Sequence, residues 1–215
     1  KLLSEFNINA SFSADLNYSI LPSPQIIIKD AKIFNNSKEN PKELAEVKKM
    51  RIIISQKRLV NQDNLEIKKI IIQDANFLVQ RDDFKFYNDF ISKKFSPKNI
   101  IIKNSNFFYK NYKNETISIF LIDNLKLFYD SKKLVNDIIS KGKVFKLKFE
   151  LNFNKNFVEN PYSETLITLN DIKLKFKNKS IKKNNVYFAT NDLEIRNFKT
   201  SSKYQFENNL LSLKS

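Results

Sequence analysis

The sequence predicts a mainly β protein: an extended, curled, antiparallel-rich sheet that forms a groove, taco-like in section, with one or two short helices. Three observations carry this. Apolar and polar residues alternate with period two over long stretches, an Ile-rich block of nine residues recurs, and helical spacing is confined to two short windows.

The first alternation runs from Phe6 to Ile20, with Ile8, Ala10, Phe12, Ala14, Leu16 and Tyr18 at the even positions and polar residues between them. A strand sends successive side chains to opposite faces, so this pattern gives one apolar and one polar face. It exceeds a typical strand, and a bend or break is expected within it. It ends at Leu21-Pro22-Ser23-Pro24, where two prolines remove ladder donors and force a turn. A second clear alternation is Phe145, Leu147, Phe149, Leu151 and Phe153. Shorter ones are Ile117-Ile119-Leu121, Ile172-Leu174-Phe176 and Leu193-Ile195. A 3.6-residue period cannot keep two faces distinct under such alternation.

The recurring block reads Ile26-Ile27-Ile28-Lys29-Asp30-Ala31, then Ile70-Ile71-Ile72-Gln73-Asp74-Ala75, then Ile100-Ile101-Ile102-Lys103-Asn104-Ser105, with a looser fourth copy at Ile167-Thr168-Leu169-Asn170-Asp171-Ile172. The spacing is irregular, so this is an array of similar strands and not a strict solenoid. In the fourth copy the apolar phase flips at Asp171, as a β-bulge would make it. In the first three the phase is ambiguous. Asp30, Asp74 and Asn104 are turn-formers that tolerate unusual backbone angles, and with Pro22 and Pro24 they are the structural turn positions.

Helical spacing appears at 83 to 95, with Phe84, Tyr87, Phe90, Ile91 and Phe95 on one side and Pro97 beyond. Asp82 or Asp83 reads as its N-cap. A second window is Ser131 to Lys141, with Leu134, Val135, Ile138 and Ile139 together and Gly142 as terminator. Lys42 to Glu46 has room for one helical turn. No Pro-, Gly- or Ser-rich linker divides the chain, so residues 1–215 read as a single β-rich module.

Composition narrows the chemistry. Hydrophobic residues make up 41% of the 215, too many for a disordered chain. There is no His and no Cys, which removes the commonest general base, thiolate nucleophiles, disulfides and thiolate metal sites. With one Gly, at 142, phosphate-cradling and nucleophile-elbow loops are excluded. No dense run of oxygen ligands suggests Ca²⁺. The reading is non-enzymatic, without cofactor or metal.

The net charge of +15 is carried almost wholly by Lys, with Arg only at 51, 58, 81 and 196. Phosphate-reading surfaces favour the bidentate Arg fork, and Ile, Lys, Asn and Phe are the residues an AT-rich genome over-uses. No nucleic-acid partner is expected. The Phe107-Phe108-Tyr109-Lys110-Asn111-Tyr112-Lys113 run has the composition of a base-stacking platform, but aromatics are ordinary strand residues. An outer-membrane barrel would alternate similarly, yet the charges on both kinds of strand face and the helical windows weigh against it. No apolar run is long enough for a transmembrane helix.

A sheet with a continuous apolar face must bury it against a second sheet, a helix or a ligand. Phe12, Leu16, Ile28, Ile72, Ile102, Phe145, Leu147, Phe149, Leu151, Phe153 and Leu169 are the candidates to line an acyl-binding groove on such a face. The alternative is a structural β-sandwich that docks a protein partner.

The order of elements also resembles the start of the AsmA family of bacterial envelope proteins, related to TamB-like and bridge-like lipid-transfer proteins. Four segments carry the resemblance. They are the Pro22-Ser23-Pro24 turn leading through Ile26-Ile27-Ile28 to Asp30, and Leu44 to Ile54 followed by a Leu59-containing connection and Leu65-Glu66-Ile67. The others are Asn76-Phe77-Leu78-Val79-Gln80-Arg81-Asp82 before a short helix, and Ile100 to Ser105 with Phe107 and then Ile117 to Leu127. They cover about residues 1–130, with 131–215 continuing the groove. The resemblance implies a periplasmic body on an inner-membrane anchor outside this chain, which begins at Lys1. It also implies a part in lipid transport or outer-membrane assembly, with phospholipid or another acyl-chain lipid as partner. A protein partner at an edge strand is a further expectation.

Overall fold

The computed structural model describes residues 8–12, 16–35, 42–55, 66–158, 161–184, 186–207 and 210–214. Phe6, Ala14, Leu59 and Leu65 lie outside the described residues. The strands are β1 (Ile8–Phe12), β2 (Leu16–Ser19), β3 (Gln25–Asn35), β4 (Glu43–Ile54), β5 (Ile67–Gln80), β6 (Asn99–Lys110) and β7 (Thr116–Asp130). They continue as β8 (Val135–Val144), β9 (Leu147–Asn156), β10 (Tyr162–Leu169), β11 (Leu174–Lys183), β12 (Val186–Ile195), β13 (Phe198–Glu207) and β14 (Leu210–Lys214). Among the described residues the one α-helix, α1 (Phe84–Ser92), follows a 3₁₀ turn at Arg81–Asp83.

All of these strands belong to one open sheet. Its order is β1-β3-β4-β5-β6 and onward through β14, with β2 also paired to β3. The chain is therefore mainly β and antiparallel-rich, with a single parallel pair, β5–β6, among the described residues. Among the described residues no second sheet faces the first, so the two-sheet sandwich is not how this chain buries its apolar face. The parallel pair explains the helix. Two parallel strands need a crossover to return the chain to the same end, and α1 lies within it.

The Ile-rich blocks are where the sheet creases. Asp30, Asp74 and Asn104 take left-handed backbone angles, with φ of 51°, 53° and 48°. Asp and Asn reach that region more readily than other side-chain-bearing residues, which explains their place in the repeat. Each such residue slips the strand's phase by one. In β3 the core takes Ile26 and Ile28 before Asp30, then Ala31 and Ile33 after it; in β5 it takes Ile70 and Ile72, then Ala75 and Phe77. The neighbours β4 and β7 slip in step, from Met50 to Val47 and from Leu125 to Ile122. Because β3 to β7 slip together, their register stays one-for-one there and the slips align as a fold line across the sheet; only against β8 does the extra residue, Asp123, become a bulge.

Pro24 is fully buried, and its carbonyl accepts a 2.8 Å bond from Ile54 N–H, so the proline turn ties β4 to the start of β3; Pro22 is exposed.

Several expectations need correcting. Residues 131–141 are not helical. Leu134 is in a left-handed turn with φ 58°, and from Val135 the chain is β8. The three-and-four spacing misled because three of the five core-side positions of β8, Asn136, Ser140 and Gly142, carry no hydrophobic signal. Gly142 ends no helix. It sits mid-strand, where a Cβ would overlap the Leu121 carbonyl oxygen. Lys42 to Glu46 form no helical turn, since β4 begins at Glu43. The fourth repeat is not a bulge. The chain reverses there, through a 3₁₀ turn at Asn170–Ile172 and Lys173 at φ 52°, bringing Leu174 opposite Leu169. Asp83 caps from within the first turn and not as a side-chain N-cap. Its carboxylate accepts Gln80 N–H at 2.8 Å and the Lys42 ammonium at 2.6 Å.

Candidate functional site

Following the register from strand to strand shows what the sheet presents on its core side. One row runs Ile28, Met50, Ile72, Ile102, Leu125, Ser140, Leu151, Ile167, Phe176, Leu193 and Thr200. A second, along the crease, passes from Ala31, Val47 and Ala75 to Ser105, Ile122, Gly142, Phe149, Leu169, Leu174, Ile195 and Phe198. These two rows form an apolar strip that crosses the strands from β3 to β13. Neighbouring strands are about 4.8 Å apart, so the strip spans most of the long dimension of the sheet.

In the first half the strip is wider. Ile26, Ile52, Ile70, Ile100, Leu127, Ile138 and Phe153 add a row on one side; Ile33, Ala45, Phe77, Phe107, Phe120, Val144 and Leu147 add one on the other. Phe77 and Phe107 stack with ring centroids 4.3 Å apart, so Phe107 is engaged inside the sheet and does not stand free as a stacking platform. Beyond β9 the first added row turns polar, as Thr165, Asn178, Asn191 and Ser202, with Asn178 donating to Asn191 at 2.7 Å.

Among the described residues, the crossover lies over part of the first half of the strip and reaches the second at its margin, where Ser92 meets Lys155. Phe86 of α1 packs on the core cluster, and Phe84 meets Tyr109 at 6.0 Å between rings. The returning segment is pinned by Asn136, fully buried, which accepts Phe95 N–H at 2.8 Å and donates to the Lys93 carbonyl at 2.7 Å. Tyr87 on the same helix has its phenol pKa raised by burial and by the nearby Asp83 charge. From β8 on, tight turns at Phe145–Lys146, Asn170–Lys173 and Arg196–Asn197 join neighbouring strands, and such turns cannot reach over the face.

Burial follows this division. Among the described residues, Phe149 and Ala189 are the only buried apolar side chains beyond β8. Leu151, Phe153, Ile167, Phe176, Leu193 and Ile195 are half-buried, and at the far side Phe198 is 62% exposed.

The groove-lining candidates divide as follows. Ile28, Ile72, Ile102 and Leu151 fall in one row, Phe149 and Leu169 in the crease row, and Leu147 and Phe153 in the two flanking rows. Ile28, Ile72 and Ile102 are buried in protein. Phe12 pairs with Ala31 and Leu16 with Ile28 at the sheet's edge, where Leu16 is exposed. Phe145 is a correction: it sits in the β8–β9 turn with φ 50°, 73% exposed, because the alternation continues one residue pair past the strand. Ile117, Ile119 and Leu121 alternate as expected, but on the outer face, where they are exposed.

Sequence reasoning missed Lys155 and the polar Thr165–Asn178–Asn191–Ser202 row. Lys155 follows Phe149, Leu151 and Phe153 in the same alternation and so stands on the core side, where its ammonium donates to Ser92 Oγ of α1 at 3.1 Å. Burial, and secondarily the Lys182 charge, lower its pKa. A break in an apolar alternation by a single cation was the available signal.

Among the described residues no group of three or more His, Cys, Asp or Glu side chains is placed to hold a metal, and no helix is long and apolar enough to cross a membrane. Neither family models nor curated proteins give a match to this chain.

Proposed function

We propose that the chain is a non-enzymatic envelope module of the AsmA kind, which holds acyl chains of phospholipid on the uncovered part of its apolar strip. In this reading it serves lipid transport or outer-membrane assembly from the periplasmic side, attached to the inner membrane through an anchor outside this chain. The observation that supports it most is the continuity of two apolar rows from the half that α1 covers into β9–β13, where no described element covers them. A single sheet leaves such a face to a ligand or a partner.

The test is the lipid content of protein purified from cells without detergent. Mass spectrometry after organic extraction should find phospholipid in near-stoichiometric amount, and an Ile167→Asp, Phe176→Asp double variant should lose most of it while keeping the β-rich circular dichroism of the parent. Lipid-free protein with a folded spectrum would contradict the reading.

A protein partner at an edge strand is the second reading. It is favoured by β14, which among the described residues pairs only with β13 and leaves Leu213 74% exposed. An added strand could continue the ladder there. Under that reading the purified chain carries no lipid, and the Asp pair leaves partner binding unchanged.

A further inference from the structure

The core-side positions of β8 to β13 are fixed by register. They run from Asn136 to Val144, Leu147 to Lys155, Ser163 to Leu169, Leu174 to Lys182, Tyr187 to Ile195 and Phe198 to Phe206, taking every second residue. Among them stands no carboxylate, and the charged residues are Lys155 and Lys182 alone. All other charges of these strands, among them Lys148, Glu150, Glu164, Lys177, Lys179, Asp192, Glu194 and Lys203, alternate to the outer face. Several pair there, as Lys141 with Glu150 at 2.9 Å and Lys177 with Glu164 at 2.7 Å. Codon bias alone would scatter Lys over both parities. The core side has excluded every charge but two of the same sign.

Those two are neighbours. Lys155 lies in the row Asn136–Lys155–Ser163–Ser180–Ala189, and Lys182 is two residues beyond Ser180 on the same face. Lys182 is close enough for its charge to add to the burial that lowers the Lys155 pKa. Lys182 lies 5.4 Å from the Tyr187 ring centroid, and the row continues past Asn136 to Tyr129, whose ring carries Lys94 at 4.1 Å. Cation–π contact and a hydroxyl leave an ammonium's charge uncompensated, and among the described residues no carboxylate pairs with Lys155 or Lys182. This basic margin borders the strip on the side where polar Thr165, Asn178 and Asn191 already separate it from Leu151, Ile167, Phe176 and Leu193.

We propose that Lys155 and Lys182 form an anionic headgroup site, so that the occupant of the open strip is a lipid bearing net negative charge, such as phosphatidylglycerol, and not a zwitterionic one. Resting on the lipid-handling reading above, the inference adds a headgroup class and an orientation: acyl chains along the Leu151–Ile167–Phe176–Leu193 row, phosphate toward Lys155 and Lys182, glycerol oxygens over the Asn178–Asn191 ladder. Two ammonium groups on one margin gain most from an anion with no positive group of its own.

The experiment incubates the full chain with mixed vesicles of phosphatidylglycerol and phosphatidylcholine, equimolar and with matched acyl chains. The protein is then re-isolated, and both lipids are quantified by mass spectrometry. Wild type should retain phosphatidylglycerol over phosphatidylcholine by roughly tenfold, the scale of one charge-assisted hydrogen bond. A Lys155→Gln, Lys182→Gln variant should retain as much total lipid with the preference reduced to about twofold or less, the residue of the general positive field. Lys143→Gln, Lys148→Gln removes the same charge from the outer face and should keep the preference. Lipid retained by wild type without preference, or a preference that the outer-face pair removes equally, overturns the headgroup site and leaves the acyl-binding reading standing. No lipid retained by wild type overturns both.

Discussion

The two halves of this sheet share one apolar strip and treat it differently. From β3 to β9 the strip is four rows wide, creased along left-handed Asp and Asn residues, and met by Phe86 of α1. From β10 to β13 it is two rows wide, bordered by polar side chains, and half-buried to exposed. The difference traces to one topological event. Among the described residues β5–β6 is the only parallel pair, it requires a crossover, and Phe86 of that crossover packs on the core; the described turns beyond β8 do not reach over the face. Stability is therefore expected to concentrate in the first half, and binding in the second.

The largest expected effect is Ile72→Ala. Ile72 is buried at the centre of the core, and its loss should cost about 2–5 kcal/mol by urea denaturation, against under about 1.5 kcal/mol for the half-buried Phe176→Ala. Equal losses at the two positions would break the comparison. Next is Gly142→Ala, where the new methyl meets the Leu121 backbone; about 1–3 kcal/mol is expected, visible as a lower urea midpoint with unchanged slope. Asn136→Ala removes both bonds that hold the crossover down and leaves buried backbone groups unpartnered, for about 1–3 kcal/mol. Faster amide exchange at Lys93–Phe95 than in β5 would sharpen the point. The smallest is Asn104→Gly, which relieves a left-handed residue while adding unfolded-state freedom. It should change stability by under about 1 kcal/mol, whereas Asn104→Val, β-branched and ill-suited to positive φ, should cost about 1–2 kcal/mol.

Much of this fold is legible in the residues. The alternation around Leu147–Phe153 marks β9, and the three Ile-rich blocks mark strands whose Asp or Asn sits at a backbone irregularity. The phase ambiguity noted in those blocks is itself the crease, since Ile28 and Ala31 both face inward. What could not be read locally depends on contacts far along the chain. Ser131 to Lys141 reads as helical because two core-side residues of β8, Asn136 and Ser140, are polar, and Asn136 is polar for the sake of Lys93 and Phe95, more than forty residues earlier. The strip is likewise invisible strand by strand. Ile28 and Phe176 come into one row only through eight successive registers, and whether that row is covered turns on where α1 crosses.

The central claim is that the strip is sealed in one half and open to acyl chains in the other. The most direct test places a photo-crosslinking residue singly at Phe176 and Ile72 on the core side, and at Lys175 on the outer face, in protein expressed in a bacterial envelope. The account predicts lipid adducts at 176 and none at 72 or 175. Adducts absent at 176, or as abundant at 175, would contradict it.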